Sequence, residues 1–403
     1  MVILITVGLP ARGKSYISQK LLRSLTWLGY NVKVFNAGTL RRKLIPLENL
    51  NETYFNENAK DMRDKIAYEC FSQLLQWMEN SNEDHKISIF DATNTTLDRR
   101  KKLVNMVNNR WKVIFIESIV DSPEIIDENI KMKQFSPDYQ NTDQNTALED
   151  FKVRISYYEN IYKSLTIDEG ISFIKTINVG EKMELYNVKG TLENDVIFFI
   201  NNIIITRPII YLSRHGESQY NTVGKLGGDS SITENGQQYA KLLSQYINDE
   251  HENNLSRLKI YTSTLNRTKQ TASFIQDNDL LVHNRKELDE IHAGKFDGYT
   301  YKQISDEFPD EAVARSADKL NYRYPMGESY KDLINRTKSI IMEAETNTQP
   351  TVIISHQATL RVIYAYFMGI SSKDIPHIPI PLHTVIKLIP YSHSYKKEVI
   401  KLL

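Results

Sequence analysis

The chain has 403 residues, too long for one ordinary hydrophobic core and comfortable for two domains of about 200 residues each. Its 50 Lys plus Arg balance 50 Asp plus Glu, so no net field draws it toward nucleic acid or an anionic membrane surface, and a small substrate or soluble partner is expected. The single cysteine, Cys70, excludes an internal disulfide and fits a reducing, cytoplasmic setting, where it reads as a small buried apolar residue.

In chain order, MVILITVG lacks a basic leader and a cleavage site and runs straight into a glycine loop, so it is read as a first strand. Strand-like runs follow at 31–36 (NVKVFN), 87–91 (ISIFD) and 113–118 (VIFIES). Between them, SYISQKLLRSLTWLG (15–29) and DKIAYECFSQLLQWMEN (64–80) carry apolar residues at helical spacing. This alternation predicts βαβ units and a mostly parallel sheet. The most apolar stretch, VIFFINNIII at 196–205, is broken by two Asn and falls short of the about 20 residues a membrane span needs. After the turn-prone TRP at 206–208 the rhythm restarts with IIYLS (209–213), KIYTS (259–263) and TVIIS (351–355). Two α/β domains are therefore expected, 1–207 and 208–403, with no repeat or low-complexity tract.

GLPARGKS at 8–15 satisfies G-x-x-x-x-G-K-[ST] between a strand and a helix, the context that a phosphate loop requires. Gly8 and Gly13 let backbone N–H groups face phosphates, Lys14 reaches the outer phosphates of ATP, and Ser15 can ligate Mg²⁺. A plain glycine turn would leave unexplained a lysine at a helix head, where the dipole disfavours a cation. Asp91, at the tip of ISIFD before ATNTT, suits the metal side of such a site, although an Asp starting a loop is common at strand ends. Arg41, Arg42, Arg63, Arg99, Arg100 and Arg154 are suited to a phosphorylated acceptor if they converge, and are otherwise solvated surface.

Arg214 and His215, in LSRHGES, end an apolar strand where open α/β sheets place ligands. TVIISHQA puts His356 at the end of another, and Arg267 opens a helix in TSTLNRTKQTA. Paired histidines with arginines suit phosphoryl transfer, in which a neutral imidazole attacks phosphorus and the cations neutralise its oxygens. A single strand-end histidine would more often be structural, and His283, His377, His383 and His393 are read that way. Expelling an alkoxide also needs a proton donor. Within LDEIHAG (288–294) spacing alone does not separate Glu290 from Asp289 or Glu287.

These motifs, in order and over nearly the whole chain, resemble the bifunctional 6-phosphofructo-2-kinase/fructose-2,6-bisphosphatase family. GLPARGKS, VFNAGTLRR, FDATNTT, SPDY and EDFKVRISYYE resemble its kinase, with an adenylate-kinase-like P-loop fold. LSRHGES, LGGDSSIT, TSTLNRTKQTA, YRYPMGESY, SHQATLR and PLHTVIKL resemble its histidine phosphatase (phosphoglycerate-mutase-like) half. The resemblance implies that Gly13, Lys14, Ser15 and Asn129 hold ATP·Mg²⁺ with Asp91 near the metal. It implies that Arg41, Arg42, Arg63, Thr93, Arg99, Arg154 and Tyr158 bind fructose 6-phosphate and that Lys133 stabilises the transferring phosphoryl group. In the other half, His215 becomes a phosphohistidine, Arg214, Asn221, Arg267 and His356 hold the 2-phosphate, and Glu290 protonates the leaving oxygen. Tyr301, Lys319, Arg323, Gln357 and Arg361 grip the 6-phosphate end. A cycle controlling glycolysis against gluconeogenesis, and a homodimer, are also implied.

Several positions depart from the family pattern. Lys131 stands two residues before Lys133 and competes for its role, so a chain dominated by its phosphatase is the alternative reading. His292 replaces the usual acidic residue of EIDAG, and Asn321 stands where a further pocket arginine is common. The terminal segments bearing phosphorylation sites in some relatives are expected to be missing. A nucleotide-gated scaffold is a third reading, which intact Arg214, His215, Glu290 and His356 disfavour.

Overall fold

Short apolar strands followed by amphipathic helices build two separate sheets in the computed structural model, which describes residues 1–44, 60–80, 86–134, 144–204, 207–252, 255, 258–275, 281–391 and 394–403, side chains at 131–134 and 144–150 excepted. The chain divides into two compact units, Met1–Thr26 with Tyr30–Ile205, and Trp27–Gly29 with Thr206–Leu403.

The first unit runs β1 (Val2–Val7), α1 (Lys14–Trp27), β2 (Asn31–Asn36), α2 (Ala37–Leu44), α3 (Lys60–Glu79), β3 (Lys86–Asp91), α4 (Leu97–Val107), β4 (Lys112–Ile119), α5 (Pro123–Gln134), α6 (Gln144–Ile161), β5 (Phe173–Ile177), β6 (Lys182–Tyr186) and α7 (Thr191–Asn201). The sheet order is β2-β3-β1-β4-β5-β6, parallel throughout except for β6. β1 lies at its centre and is buried at all six positions, which is why it reads as an unbroken apolar run rather than an alternation. Ile3, Ile5 and Val7 pack there against Phe71, Leu74, Phe90 and Phe115. The 8–13 loop and Asp91 thereby both fall at the carboxyl edge of parallel strands. Arg100, grouped by sequence with the phosphate-binding arginines, is instead structural. Its guanidinium pairs with Glu169 at 2.6 Å and donates to the carbonyls of Asn94, Thr95 and Lys163, pinning the loop beyond β3.

The second unit runs β7 (Ile210–Arg214), α8 (Gln219–Thr222), α9 (Glu234–Glu250), β8 (Lys259–Thr262), α10 (Asn266–Ala272), β9 (Val282–Asn284), α11 (Tyr301–Glu307), α12 (Pro309–Ala317), α13 (Tyr330–Thr346), β10 (Thr351–Ser355), α14 (Gln357–Met368), β11 (Thr384–Tyr391) and β12 (Ser394–Lys401). Its sheet order is β12-β11-β7-β10-β8-β9. β7, β10, β8 and β9 are parallel, while β11 runs antiparallel to β7 and β12 antiparallel to β11. Ser355 of β10 is the register partner of Arg214 of β7. That register sets the spacing of everything at the strand ends. Among the described residues, no helix is long and apolar enough to cross a membrane.

Candidate active sites

In the second unit His215 stands one residue beyond β7 and His356 caps the N-terminus of α14, one residue beyond β10. His215 N–H donates to Ser355 O at 3.0 Å, and the two imidazole rings lie 5.2 Å apart. Gly216 permits the chain to turn here, because a Cβ on it would meet Gly236 O at 2.4 Å.

Hydrogen bonding assigns both tautomers. His215 Nδ1 lies 2.7 Å from Gly216 O, and since a carbonyl only accepts, Nδ1 carries the proton and Nε2 keeps its lone pair. His356 Nδ1 accepts from Arg267 Nε at 3.2 Å, so its Nε2 donates to Ser263 Oγ at 2.7 Å. Burial, reinforced by the Arg267 and Arg214 cations, holds His215 well below the ordinary imidazole range. Burial and Arg267, His215 and Arg214 do the same for His356. Both rings are therefore neutral near pH 7, as a nitrogen nucleophile requires.

A cavity of about 290 Å³ opens in front of His215. Six cationic side chains line it, Arg214, Lys225, Arg267, Arg315, Lys319 and Arg361, against one carboxylate, Glu290. Burial first, then Arg361 and Arg267, lowers Arg214 to about 10, with Glu290 opposing. Its Nη1 donates to Ile380 O, while its buried Nε has no hydrogen-bond partner among the described residues. A buried guanidinium N–H of this kind fits an oxyanion ligand. Asn221, also in the lining, caps its own helix turn through Oδ1, which accepts from Ser218 N–H and leaves its amide NH₂ as the donor end.

The three carboxylates that spacing left open now separate. Glu290 lines the cavity, where its Oε1 accepts the N–H groups of Ile291 and Ala358 at 3.0 and 3.1 Å. Asp289 is turned to the backbone and hydroxyl of Thr264, and Glu287 gives its carbonyl to Arg336.

Away from His215 the wall is basic and phenolic. Arg315 donates to Tyr324 and Tyr301 hydroxyls at 2.8 and 2.9 Å, and Arg361 to the Tyr330 hydroxyl at 3.0 Å and to Ile378 O. Lys319 donates to Pro376 O, and burial together with Arg315 and Arg361 lowers it to about 8. Gln357 completes this side. Arg323, expected here, is a correction: it is absent from the lining and pairs with Asp332 at 2.6 Å, more than half exposed. Residues 322–324 are extended, so alternate side chains face opposite ways, and Tyr322 and Tyr324 line the cavity in its place. Asn321 is bonded to Asp318 and also lies outside the lining. Sequence reading missed Lys225, Arg315, Tyr322, Tyr324 and Tyr330. The alternation of YRY held a signal for the first pair of tyrosines; Arg315, on a helix with no buried residue, had none.

In the first unit the 8–15 loop has the shape of a phosphate cradle. Gly8 (φ +139°) and Gly13 (φ +78°) occupy conformations that favour glycine, and a Cβ on Gly8 would meet Ser118 O at 2.6 Å. Gly8 N–H donates to Thr93 O at 3.0 Å, Asn129 Nδ2 to Ala11 O at 3.1 Å, and Ser118 Oγ to Arg12 O. Lys14 opens α1, is buried, and donates to Leu9 O, while Ser15 follows it on the first turn. Buried Asp91 accepts from Asn36 Nδ2 at 2.5 Å. The donor set, a helix N-terminus with a lysine, a hydroxyl and a carboxylate, fits a nucleotide phosphate with Mg²⁺.

The residues expected to bind the acceptor are partly gathered. Arg63 donates to the Tyr157 hydroxyl and lies over that ring, which is 5.3 Å from the ring of buried Tyr158. Arg99 pairs with Asp64, the residue after Arg63, so these two arginines share one turn of α3. Arg41 is buried in α2, Arg42 donates to Thr39 Oγ1, and Arg154 lies 5.7 Å over the Phe151 ring. The side chains of Lys131 and Lys133, and the SPDY segment, lie outside the described residues.

Comparison with known proteins divides the chain similarly. A family profile described as 6-phosphofructo-2-kinase matches residues 1–207, and one described as histidine phosphatase superfamily (branch 1) matches residues 210–401. The chain is 40% identical over 405 residues to 6-phosphofructo-2-kinase/fructose-2,6-bisphosphatase of Aquarana catesbeiana, covering 99% of this chain and 84% of that protein. It is 41% identical over 404 residues to 6-phosphofructo-2-kinase/fructose-2,6-bisphosphatase 1 of Homo sapiens, with the same coverage. Among solved structures, an alpha-ribazole phosphatase from Shigella flexneri aligns at 22% identity and a TM-score of 0.42, over 48% of this chain and 96% of that one.

Proposed function

The chain belongs to the bifunctional 6-phosphofructo-2-kinase/fructose-2,6-bisphosphatase family, and from that premise we propose which of its residues carry each half of the cycle. The enzyme makes fructose 2,6-bisphosphate from fructose 6-phosphate with ATP, and hydrolyses it.

For hydrolysis, Nε2 of His215 attacks the 2-phosphorus; the P–N bond forms as the P–O bond to the sugar breaks, and the Glu290 carboxyl gives its proton to that oxygen. Glu290, now ionised, takes a proton from water as the water attacks the phosphohistidine, releasing phosphate and restoring His215. Arg214, Arg267, Asn221 and His356 stabilise the phosphoryl oxygens, and Lys319, Arg361, Gln357, Tyr301 and Arg315 hold the 6-phosphate. One observation carries this reading: a neutral, tautomer-fixed His215 faces a cationic cavity whose lone carboxylate is Glu290.

For synthesis, backbone N–H groups of the 8–15 loop, with Lys14 and Asn129, hold the nucleotide. Arg41, Arg42, Arg63, Thr93, Arg99, Arg154 and Tyr158 hold fructose 6-phosphate, whose 2-hydroxyl attacks the γ-phosphorus as ADP departs and the hydroxyl proton is lost. Lys133 neutralises the moving phosphoryl group. Mg²⁺, held by Ser15 and Asp91, supplies further charge neutralisation. A cytoplasmic homodimer completes the reading, supported by family membership and checked by sedimentation.

The test follows γ-labelled ATP with Mg²⁺ and fructose 6-phosphate in the intact protein and in His215→Ala. Label should pass through bisphosphate to free phosphate in the first and accumulate as bisphosphate in the second. No transfer from ATP in either protein would overturn the kinase assignments and leave a predominantly hydrolytic enzyme.

A further inference from the structure

We infer that Arg336 and Glu328 are positioning residues for the proton donor of the hydrolytic site, an inference that rests on the reading of Glu290 as that donor. Glu290 lies on neither a helix nor a strand. It follows the short 3-10 turn Lys286–Leu288 and begins the loop leading to Gly294. A carboxyl carried on such a loop keeps its aim only if the backbone beneath it is held.

Arg336 provides that hold from α13. Its Nη1 donates to the carbonyls of Lys286 (3.1 Å), Glu287 (2.9 Å) and Asp289 (3.1 Å), and Nη2 reaches that of Glu290 (3.4 Å). The other edge of the guanidinium forks onto Glu328, Nε to Oε1 and Nη2 to Oε2, both at 2.9 Å. Glu328 then closes the far side. Its Oε2 accepts His292 N–H at 3.0 Å and its own N–H donates to His292 O at 2.9 Å. The loop is thus clasped on both sides of Glu290. The remaining carbonyl, of Leu288, accepts from Ser355 Oγ at 2.6 Å, which ties the same loop to the strand leading into His356.

Neither Arg336 nor Glu328 lines the cavity, so their influence on the reaction passes through Glu290. The clasp also requires arginine. Four carbonyls and a carboxylate are met by one planar five-donor fork, which the three donors of a lysine, all on one nitrogen, cannot reproduce.

A purely structural role would slow phosphoryl transfer from every substrate. Positioning of an acid slows only those whose leaving oxygen needs a proton. The experiment measures single-turnover formation of phosphohistidine on His215 by rapid quench, with fructose 2,6-bisphosphate and with 4-nitrophenyl phosphate, whose phenolate departs without a donor. It uses the full-length protein and the variants Glu290→Gln, Arg336→Lys and Glu328→Gln. Expected rates with the sugar bisphosphate fall about 10²-fold or more for Glu290→Gln and about tenfold for each clasp variant, with 4-nitrophenyl phosphate staying within about twofold. If the clasp variants lose both substrates equally, or neither, while Glu290→Gln keeps its leaving-group selectivity, the clasp inference fails and the donor reading stands. If Glu290→Gln itself shows no selectivity, the donor reading fails first. Should Arg336→Lys not fold, Glu328→Gln, which preserves side-chain volume and an acceptor for His292, decides the matter.

Discussion

Around the 8–15 loop a phosphate meets mainly backbone N–H groups with one lysine, whereas in the second unit's cavity it meets guanidinium groups on side chains. The first arrangement depends on what is missing: Gly8 has no Cβ, and one there would run into Ser118 O. The second depends on what is present, buried cations that cost solvation and are tolerated because Glu290 and main-chain carbonyls face them. Backbone donors suit a leaving chain of phosphates that must be released each cycle. Fixed arginines around a neutral imidazole suit a phosphoryl group that is bonded to the protein.

The sharpest way to break this comparison is to remove one cation from the second site. Arg267→Ala takes away both a phosphate partner and the N–H that fixes the His356 tautomer, and should lower kcat/KM for fructose 2,6-bisphosphate by about 10²- to 10³-fold while synthesis is unchanged. The matching change in the first site adds one methyl group. Gly8→Ala forces an alanine into φ +139° against Ser118 O, with strain of about 1–3 kcal/mol, so nucleotide affinity measured by calorimetry should fall at least about tenfold and hydrolysis should be untouched. A smaller effect comes from pH. Because Lys319 is lowered to about 8, it is charged at neutral pH and loses its charge as pH rises through that value, so KM for the bisphosphate should rise several-fold by pH 9. Lys319→Met should flatten that rise. The smallest effect is expected at Arg323→Ala, where steady-state hydrolysis should stay within about twofold because the side chain faces Asp332 and solvent.

What sequence could and could not disclose follows from burial. β1, β3, β7 and β10 are enclosed strands, and their unbroken apolar runs announced both themselves and the residues at their tips, Lys14, Asp91, His215 and His356. β6 and β12 lie at sheet edges, where KMELY and SYKKEVIK expose most of their side chains and carry no apolar run to read. The motif YRYPMGESY marked the correct segment, yet the choice of Arg323 over Tyr322 and Tyr324 went wrong because charge was weighed and the direction of an extended backbone was not. Arg315 and Lys225 were silent for another reason. Each sits in a stretch that looks like ordinary surface, and only the folding of distant loops onto one cavity gives it a ligand to meet.

The register of β7 against β10 bears on how such a site can change over evolutionary time. His215 and His356 hang from paired central strands, so neither can shift without breaking the ladder between them. The sugar-facing wall comes instead from α11, α12 and the loops that follow α8 and α12, none of which belongs to the sheet. Bond-breaking chemistry and choice of substrate are thus inherited as separable traits, and substitutions in the wall can explore new phosphate esters while the pair of histidines stays where it is.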